Sequence, residues 1–371
     1  MSMDIKINEA LNSYDFGGNV TECFPYGEGH INNTYCVCVK NPDAKKRKYI
    51  LQRINSSVFK DPVKLMENMY NVTNYLRDEI IKNGGEYLRE TLNIIKTKDN
   101  SFYYIDSDKE VWRAVYFIED TICLQSVEKP EHFYESAKSF GKFMKQLSKF
   151  PAEKLHETIA KFHDTPNRLN NLKNAIKADK LRRVCLVKDE INFTLSREND
   201  CSYLMDRLLK NELPLRVTHN DTKLNNILFD KYTQKGICII DLDTIMPGLC
   251  ANDFGDSIRF GASTASEDEP DLSKVHFNLE LFEIYTKGYL EVTASILTEA
   301  ELESLVWGSK LMTLECGMRF LTDYLEGDTY FQISRENHNL DRARTQLKLV
   351  YEMEQNFNKM FEIVRKHYKN R

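Results

Sequence analysis

No C-x-x-C pair occurs among the nine cysteines, so the usual spacing of a structural zinc site is missing. Cys36 and Cys38 are alternate residues of a strand-like run. An odd number of cysteines in a chain long enough for a real core implies free thiols in a reducing compartment. The first ten residues, Met1-Ser-Met-Asp-Ile-Lys-Ile-Asn-Glu-Ala10, lack the apolar centre of a secretory signal. No apolar run reaches the roughly 20 residues that a membrane span needs. The expectation is a cytoplasmic protein.

A basic surplus is missing too. Fifty-one Lys and Arg against 56 Asp and Glu leave a net charge of −5, spread along the chain. Nucleic acid or an anionic membrane would call for a concentrated basic surface, so neither is an expected partner. There is no internal repeat and no low-complexity segment. What remains is an ordinary folded composition, 42% hydrophobic and 29% charged, in 371 residues, which suggests two domains or one bilobal unit.

The pattern changes once along the chain. Residues 24–39 read as a glycine turn, Gly27-Glu-Gly29, followed by alternating apolar residues, and 49–54 as a further strand. Asp61-Pro62 opens a helix with apolar residues at Leu65, Met69, Val72, Tyr75 and Leu76, which runs to about 81 and ends at Gly84-Gly85. Short strands are expected at 91–96, 102–105 and 111–118. From Pro130 amphipathic helices take over: 131–150, 279–292, 299–324 and 340–368. The expected class is α+β, with a small antiparallel-sheet lobe over 1–119 and a larger, mostly helical lobe over 120–371.

One stretch interrupts the helical half with strands. It reads Val217-Thr-His-Asn-Asp-Thr-Lys-Leu-Asn-Asn-Ile-Leu-Phe-Asp230, then Ile237-Cys-Ile-Ile-Asp-Leu-Asp-Thr244, then Asp253-Phe-Gly-Asp256. Kinase-type phosphoryl transfer needs a carboxylate to receive the acceptor's proton, and an amide oxygen and a second carboxylate to hold magnesium on the phosphates. Asp221 fits the first role, and Asn226 and Asp241 the second. Asp243 alternates with Asp241 on a strand and points the same way. Metal ligation and a structural hydrogen bond both remain open for it. His219 reads as a packed support for the loop, and Asp253 as a brace that accepts its backbone amides.

The phosphates need their own contacts. Gly27 and Gly29 would let backbone amides close over phosphate oxygens, although a plain hairpin turn explains them as well. His30 and Asn32 sit where their side chains would reach a phosphate or hold the turn. On the third strand the candidate cation is Arg53, where a kinase usually has lysine, and Glu67 on the next helix is its candidate partner. A solvent-facing helix charge is the other reading of Glu67. ATP is the expected co-substrate and Mg2+ the expected cation.

These strings resemble the aminoglycoside phosphotransferase and choline kinase-like superfamily, relatives of protein kinases that phosphorylate small molecules. No Ala-Pro-Glu activation segment follows, which sets the chain apart from protein kinases. Within the superfamily the chain resembles the N-acetylhexosamine 1-kinases. That resemblance rests on Gly27-Glu-Gly-His-Ile-Asn32, Ile50-Leu-Gln-Arg-Ile-Asn55, Met66-Glu-Asn68 and Phe162-His-Asp-Thr165. It also rests on the stretches 219–226, 240–248, 253–261 and 315–328. It implies a bilobal protein-kinase-like fold. It also implies transfer of the ATP γ-phosphate to the anomeric hydroxyl of N-acetylglucosamine or N-acetylgalactosamine.

In the shared strings, Asp256, Arg259, Arg319 and Tyr324 have the chemistry to bind a sugar, or to form ion pairs between helices. Leu302, Leu305, Leu311, Met312 and Phe320 read as core. The alternatives are a kinase of an amino alcohol or aminoglycoside and a non-catalytic nucleotide-binding protein. The acidic run 267–271 bears on the first; the presence of Asp221, Asn226 and Asp241 speaks against the second.

Overall fold

The computed structural model describes residues 2–27, 31–43 and 45–369. The first elements are α1 (Ser2–Ser13), β1 (Asn19–Pro25), β2 (Asn33–Lys40), β3 (Lys46–Arg53), α2 (Pro62–Lys82), α3 (Tyr87–Glu90), β4 (Tyr104–Ile105), β5 (Val111–Tyr116) and β6 (Thr121–Ile122). Then come α4 (Pro130–Gln146), α5 (Thr165–Ala178), α6 (Lys188–Leu195), α7 (Glu198–Cys201), α8 (Tyr203–Leu209), β7 (Arg216–Thr218), β8 (Ile227–Asp230), β9 (Gly236–Ile239) and β10 (Met246–Gly248). The chain closes with α9 (Cys250–Gly261), α10 (Leu279–Thr293), α11 (Glu299–Glu326), α12 (His338–Gln355) and α13 (Phe357–Lys369). The expected α+β class holds, with an antiparallel sheet in the N-terminal region and helices in the C-terminal region.

Contacts divide the chain into two units. The first holds the chain up to Ile122, Lys149–Ala160 and Leu228–Met246. Its five-stranded antiparallel sheet has the order β1-β2-β3-β5-β4. Strand alternation decides what each face carries. Tyr35, Val37, Tyr49, Leu51, Trp112 and Ala114 share one face and pack with Ala10 and Tyr14 of the α1 region. Gln52 and Arg113, directly opposite each other on β3 and β5, share the other.

Helix α2 starts as its sequence dictates: Asp61 caps Lys64 N–H, Pro62 takes the first turn, and Gly84 follows the end at φ +73°. Its Asn68 is 1% exposed and fully used. The amide nitrogen donates to the carbonyls of His156 and Ile245 at 2.8 and 3.0 Å, and the oxygen accepts His156 N–H at 2.8 Å. This one side chain ties both returning segments to α2. The strand expected at 91–96 is only a single bridge, Ile94 to Val115, because α3 forms just before it and Asn93 turns its amide onto the carbonyls of Tyr87 and Thr91.

The second unit is helical, with two cores. One gathers Phe133, Phe254, Tyr285, Tyr289, Leu305 and Met353; the other Leu172, Leu311, Leu314, Met318, Tyr324 and Val350. Helix α11 takes part in both, and the five residues expected as its core, Leu302, Leu305, Leu311, Met312 and Phe320, are buried. It opens on a capping box of Thr298 and Glu301 and ends at Gly327, φ +106°. The single helix expected over 340–368 breaks at Asn356, whose side chain bonds back to Glu352 O at 2.9 Å, so the apolar stripe is shared by α12 and α13.

Candidate phosphoryl-transfer site

In the second unit, α9 is the frame for the loop after β7. The Asp253 carboxylate accepts the amides of His219 and Asn220 at 2.8 and 2.7 Å. One turn on, Asp256 accepts the amide of Thr222 at 2.9 Å, and Ser257 Oγ donates to Thr222 O at 2.9 Å. These bonds hold an irregular backbone in which Asn220 is left-handed at φ +64°. His219 is fully buried beside the rings of Phe140 and Phe143, and its Nδ1 lies 3.3 Å from Asp221 N. That is the geometry of a support.

Asp221 projects from this fixed loop with its side chain 30% exposed. Asn226 Nδ2 donates to its carbonyl at 2.8 Å and to its Oδ2 at 2.9 Å, and Lys223 Nζ stands 3.1 Å from Oδ1. Both partners of Asn226 are acceptors, so its nitrogen must face Asp221 and its oxygen is left for another ligand. Burial works to lower the Lys223 pKa, but the charges of Asp221 and Asp256 outweigh it and raise it. Arg259 is 8% exposed and spent on two carboxylates, Asp256 at 2.9 Å and Glu267 at 2.5 Å. Burial opposes ionisation of Asp256, yet the Arg259 guanidinium holds its carboxyl below the usual range.

In the first unit, Gly27 has φ +82° at the turn after β1, a conformation that favours glycine, while Gly29 and His30 lie outside the described residues. The expected pair of Arg53 with Glu67 does not form. Arg53 donates to Asn33 Oδ1 at 2.8 Å, and Glu67 sits 2.6 Å from His156 Nε2. Strand alternation explains this: Arg53 lies opposite Trp112, on the sheet face that packs against α1, whereas Glu67 belongs to α2. The cation on the α2 side is Arg113. It is 3% exposed, pairs with the equally buried Asp243, donates from Nε to Gln52 Oε1 at 2.8 Å, and lies 3.5 Å from Met69 Sδ of α2. A charge in the apolar strand Val111-Trp-Arg-Ala-Val115 was the signal for it.

Asp241 lies two residues beyond the end of β9 with φ +58°, left-handed backbone that a non-glycine residue adopts only where its surroundings enforce it. Asp243 has both oxygens engaged, Oδ1 by Arg113 and Oδ2 by Asn32 Nδ2 at 2.5 Å.

Arg319, but neither Asp256 nor Arg259, lines a cavity of about 430 Å³ between α5, α11 and the segment after α11. Arg168, Asn171, Asn174, Arg319, Thr322, Asp323, Glu326, Tyr330 and Phe331 line it. Among the described residues, no carboxylate is within ion-pair distance of either arginine. Arg319 is ringed by Phe162, Tyr330 and Phe331 at 5.6, 5.8 and 5.3 Å, and the Nε of Arg168 is buried without a hydrogen-bond partner. Beneath them Glu315, 1% exposed, accepts from His163 and Thr165. Tyr324 does not line the cavity; it is 4% exposed, with its ring under the Arg183 guanidinium.

The fold is shared with known kinases. An aminoglycoside phosphotransferase from Alicyclobacillus acidocaldarius superposes with a TM-score of 0.59 at 11% identity, over 98% of this chain and 96% of that one. A choline kinase from Cryptosporidium parvum gives 0.57 at 15% identity, over 99% of both. An amicoumacin kinase in complex with AMP-PNP, Ca2+ and Ami gives 0.58 at 13%, over 96% and 94%. A profile of the phosphotransferase enzyme family matches residues 24–288, well over half of the chain, and the protein belongs to that family, as a small-molecule kinase that uses ATP.

Proposed function

We propose that this kinase transfers the γ-phosphoryl group of ATP to the anomeric hydroxyl of an N-acetylhexosamine, N-acetylglucosamine or N-acetylgalactosamine, giving the sugar 1-phosphate. The observation that carries this is the lining of the helical cavity. Arg168 and Arg319 are balanced there by Asp323, which accepts the amides of Thr329, Tyr330 and Phe331, and by Glu326, while amide and hydroxyl groups and two aromatic rings offer an uncharged, oxygen-rich acceptor hydrogen bonds and a ring face. The acidic run that a cationic acceptor would use is neutralised within the unit: Glu267 by Arg259, Asp268 facing His338, Glu269 and Asp271 facing Lys274. The strings shared with the N-acetylhexosamine kinases support the same acceptor. In this reading Arg319 binds the sugar, while Asp256, Arg259 and Tyr324 act through the structure around them.

Asp221 orients the acceptor hydroxyl and takes its proton as the new oxygen–phosphorus bond forms and the bond to ADP breaks. Its carboxylate stays in place because Asn226 and Lys223 hold both oxygens. Mg2+ is the expected cation: the amide oxygen of Asn226 and the carboxylate of Asp241 are the hard oxygen donors it takes. When bound, it offsets charge on the phosphates. Residues 1–119 serve the nucleotide in this reading, through Gly27, Gly29 and His30 and not through Arg53, which faces α1, and 120–371 serve catalysis and the acceptor.

A coupled ADP-release assay over a panel of acceptors tests the assignment. N-acetylglucosamine or N-acetylgalactosamine should drive ADP release and give a phosphate that acid removes easily, as expected of a glycosyl phosphate. Turnover confined to choline, homoserine or an aminoglycoside would overturn the sugar and leave the kinase.

A further inference from the structure

Asp243 lies two residues beyond Asp241, in the short 3-10 turn Leu242–Thr244 that follows β9. Its side chain and that of Arg113 are each 3% exposed, and the two are paired. A divalent cation on this carboxylate would have to sit beside the Arg113 guanidinium, so the pair disfavours ligation. The bonds instead lead outward. Arg113 Nε donates to Gln52 Oε1, whose own amide donates to Thr34 Oγ1 at 3.0 Å on β2. On the other carboxylate oxygen, Asn32 donates at 2.5 Å, and Asn32 Oδ1 accepts Asn55 N–H at 2.9 Å. Asn32 immediately precedes β2, at the end of the glycine turn. One buried carboxylate thus links the turn bearing Asp241 to β5, to β3 and to the hairpin.

We propose that Asp243 is a positioning residue: held by Arg113, it sets the left-handed backbone that presents Asp241, and through Asn32 it couples that turn to the β1–β2 hairpin. Metal-assisted nucleotide binding then depends on the Asn32 hydrogen bond and not on ligation by Asp243. This rests on the reading that Asp241 holds the cation.

The test is calorimetric titration of the full-length protein with ATP, in Mg2+ and in EDTA, which reads the gain in affinity that the metal gives. Asn32→Ala should lose about tenfold of that gain, the scale seen when a partner of a metal ligand is removed. Affinity in EDTA should stay within about twofold, the size of a small surface effect. Asn32→Asp separates the two bonds of Asn32. It keeps an acceptor for Asn55 but sets a carboxylate against Asp243, so it should lose as much. Asp243→Asn should match these variants, and the Asn32→Ala/Asp243→Asn double variant should be no worse than Asp243→Asn alone.

Full metal gain in Asn32→Ala and Asn32→Asp would overturn the proposal, whether or not Asp243→Asn binds metal. Should Asp243→Asn fail to fold, shown by its thermal transition, the two Asn32 variants decide. Asp241→Asn tests the underlying reading separately: an undiminished metal gain there would remove Asp241 from the cation, whatever the Asn32 variants do.

Discussion

Asp221 is held at both oxygens but remains 30% exposed, and those two facts set what its replacement does. Asn at this position keeps an acceptor for Asn226 and leaves the clamp of Asp253 on the loop backbone intact, so the loop keeps its shape. It cannot take a proton from the acceptor. Asp221→Asn should therefore lower kcat by about two to four orders of magnitude, the range for loss of a general base. ATP affinity by calorimetry should stay close to wild type. Retained turnover would remove Asp221 from the base role. The candidate phosphoryl-transfer stretch stands out in the sequence because His219, Asp221, Asn226 and Asp241 are close along one stretch of chain. Arg53 and Glu67 do not, because their pairing depends on which sheet face Arg53 occupies. Trp112 opposite Arg53, and Arg113 opposite Gln52, decide that through strand pairing over some sixty residues.

Helix α9 shows how an element holds a loop from behind, with α11 as its support. Asp253 and Asp256 reach the catalytic loop from α9, and α9 rests on α11 through glycines. A Cβ on Gly308 would stand 2.0 Å from Ala251 O, and one on Gly255 2.3 Å from Gly308 O, backbone contacts that neither helix can relieve without moving. Elsewhere on α11, a Cβ on Gly317 would meet Leu347 Cδ2 at 3.1 Å and Gln346 Cβ at 3.2 Å, contacts that side chains can ease by a few tenths of an ångström.

The two alanine variants should thus separate. Gly308→Ala should cost about 3 kcal/mol of stability by overpacking, and lower activity with it because the loop frame shifts. Gly317→Ala should change stability by no more than about 1 kcal/mol, since gained helix propensity offsets the tight contact. Urea unfolding monitored by circular dichroism checks both. Equal losses would show that helix separation is not what Gly308 protects. The apolar stripe of α11 was readable from its spacing, but Gly308 was not. The need for glycine there comes from Ala251, which no periodicity within α11 reveals.

At the scale of the whole molecule, the first unit is assembled from three stretches of chain, and its buried polar groups show why it needs all of them. Within residues 2–122, Arg113 has no substitute for Asp243, and Asn68 loses the carbonyls of His156 and Ile245. Strand β6 also loses β8, its antiparallel neighbour. Removing one partner of a buried ion pair costs about 3–5 kcal/mol, and a buried amide left unsatisfied about 1–3 kcal/mol. Together these approach the roughly 5–15 kcal/mol by which a typical domain is stable.

The change from strands to helices along the sequence says nothing of such returns, because 149–160 and 228–246 look locally like any loop or strand. Their membership in the first unit is decided by Asn68 and Arg113, far off in the chain. A fragment spanning residues 1–122 should therefore show no cooperative thermal transition and poor amide dispersion in a two-dimensional NMR spectrum, whereas the full chain melts cooperatively. A sharp, reversible transition in the fragment would mean that its apolar core, centred on Tyr49, Leu51 and Trp112, suffices without the two returning segments. The buried Arg113–Asp243 pair would then serve the position of Asp241 and contribute little to folding.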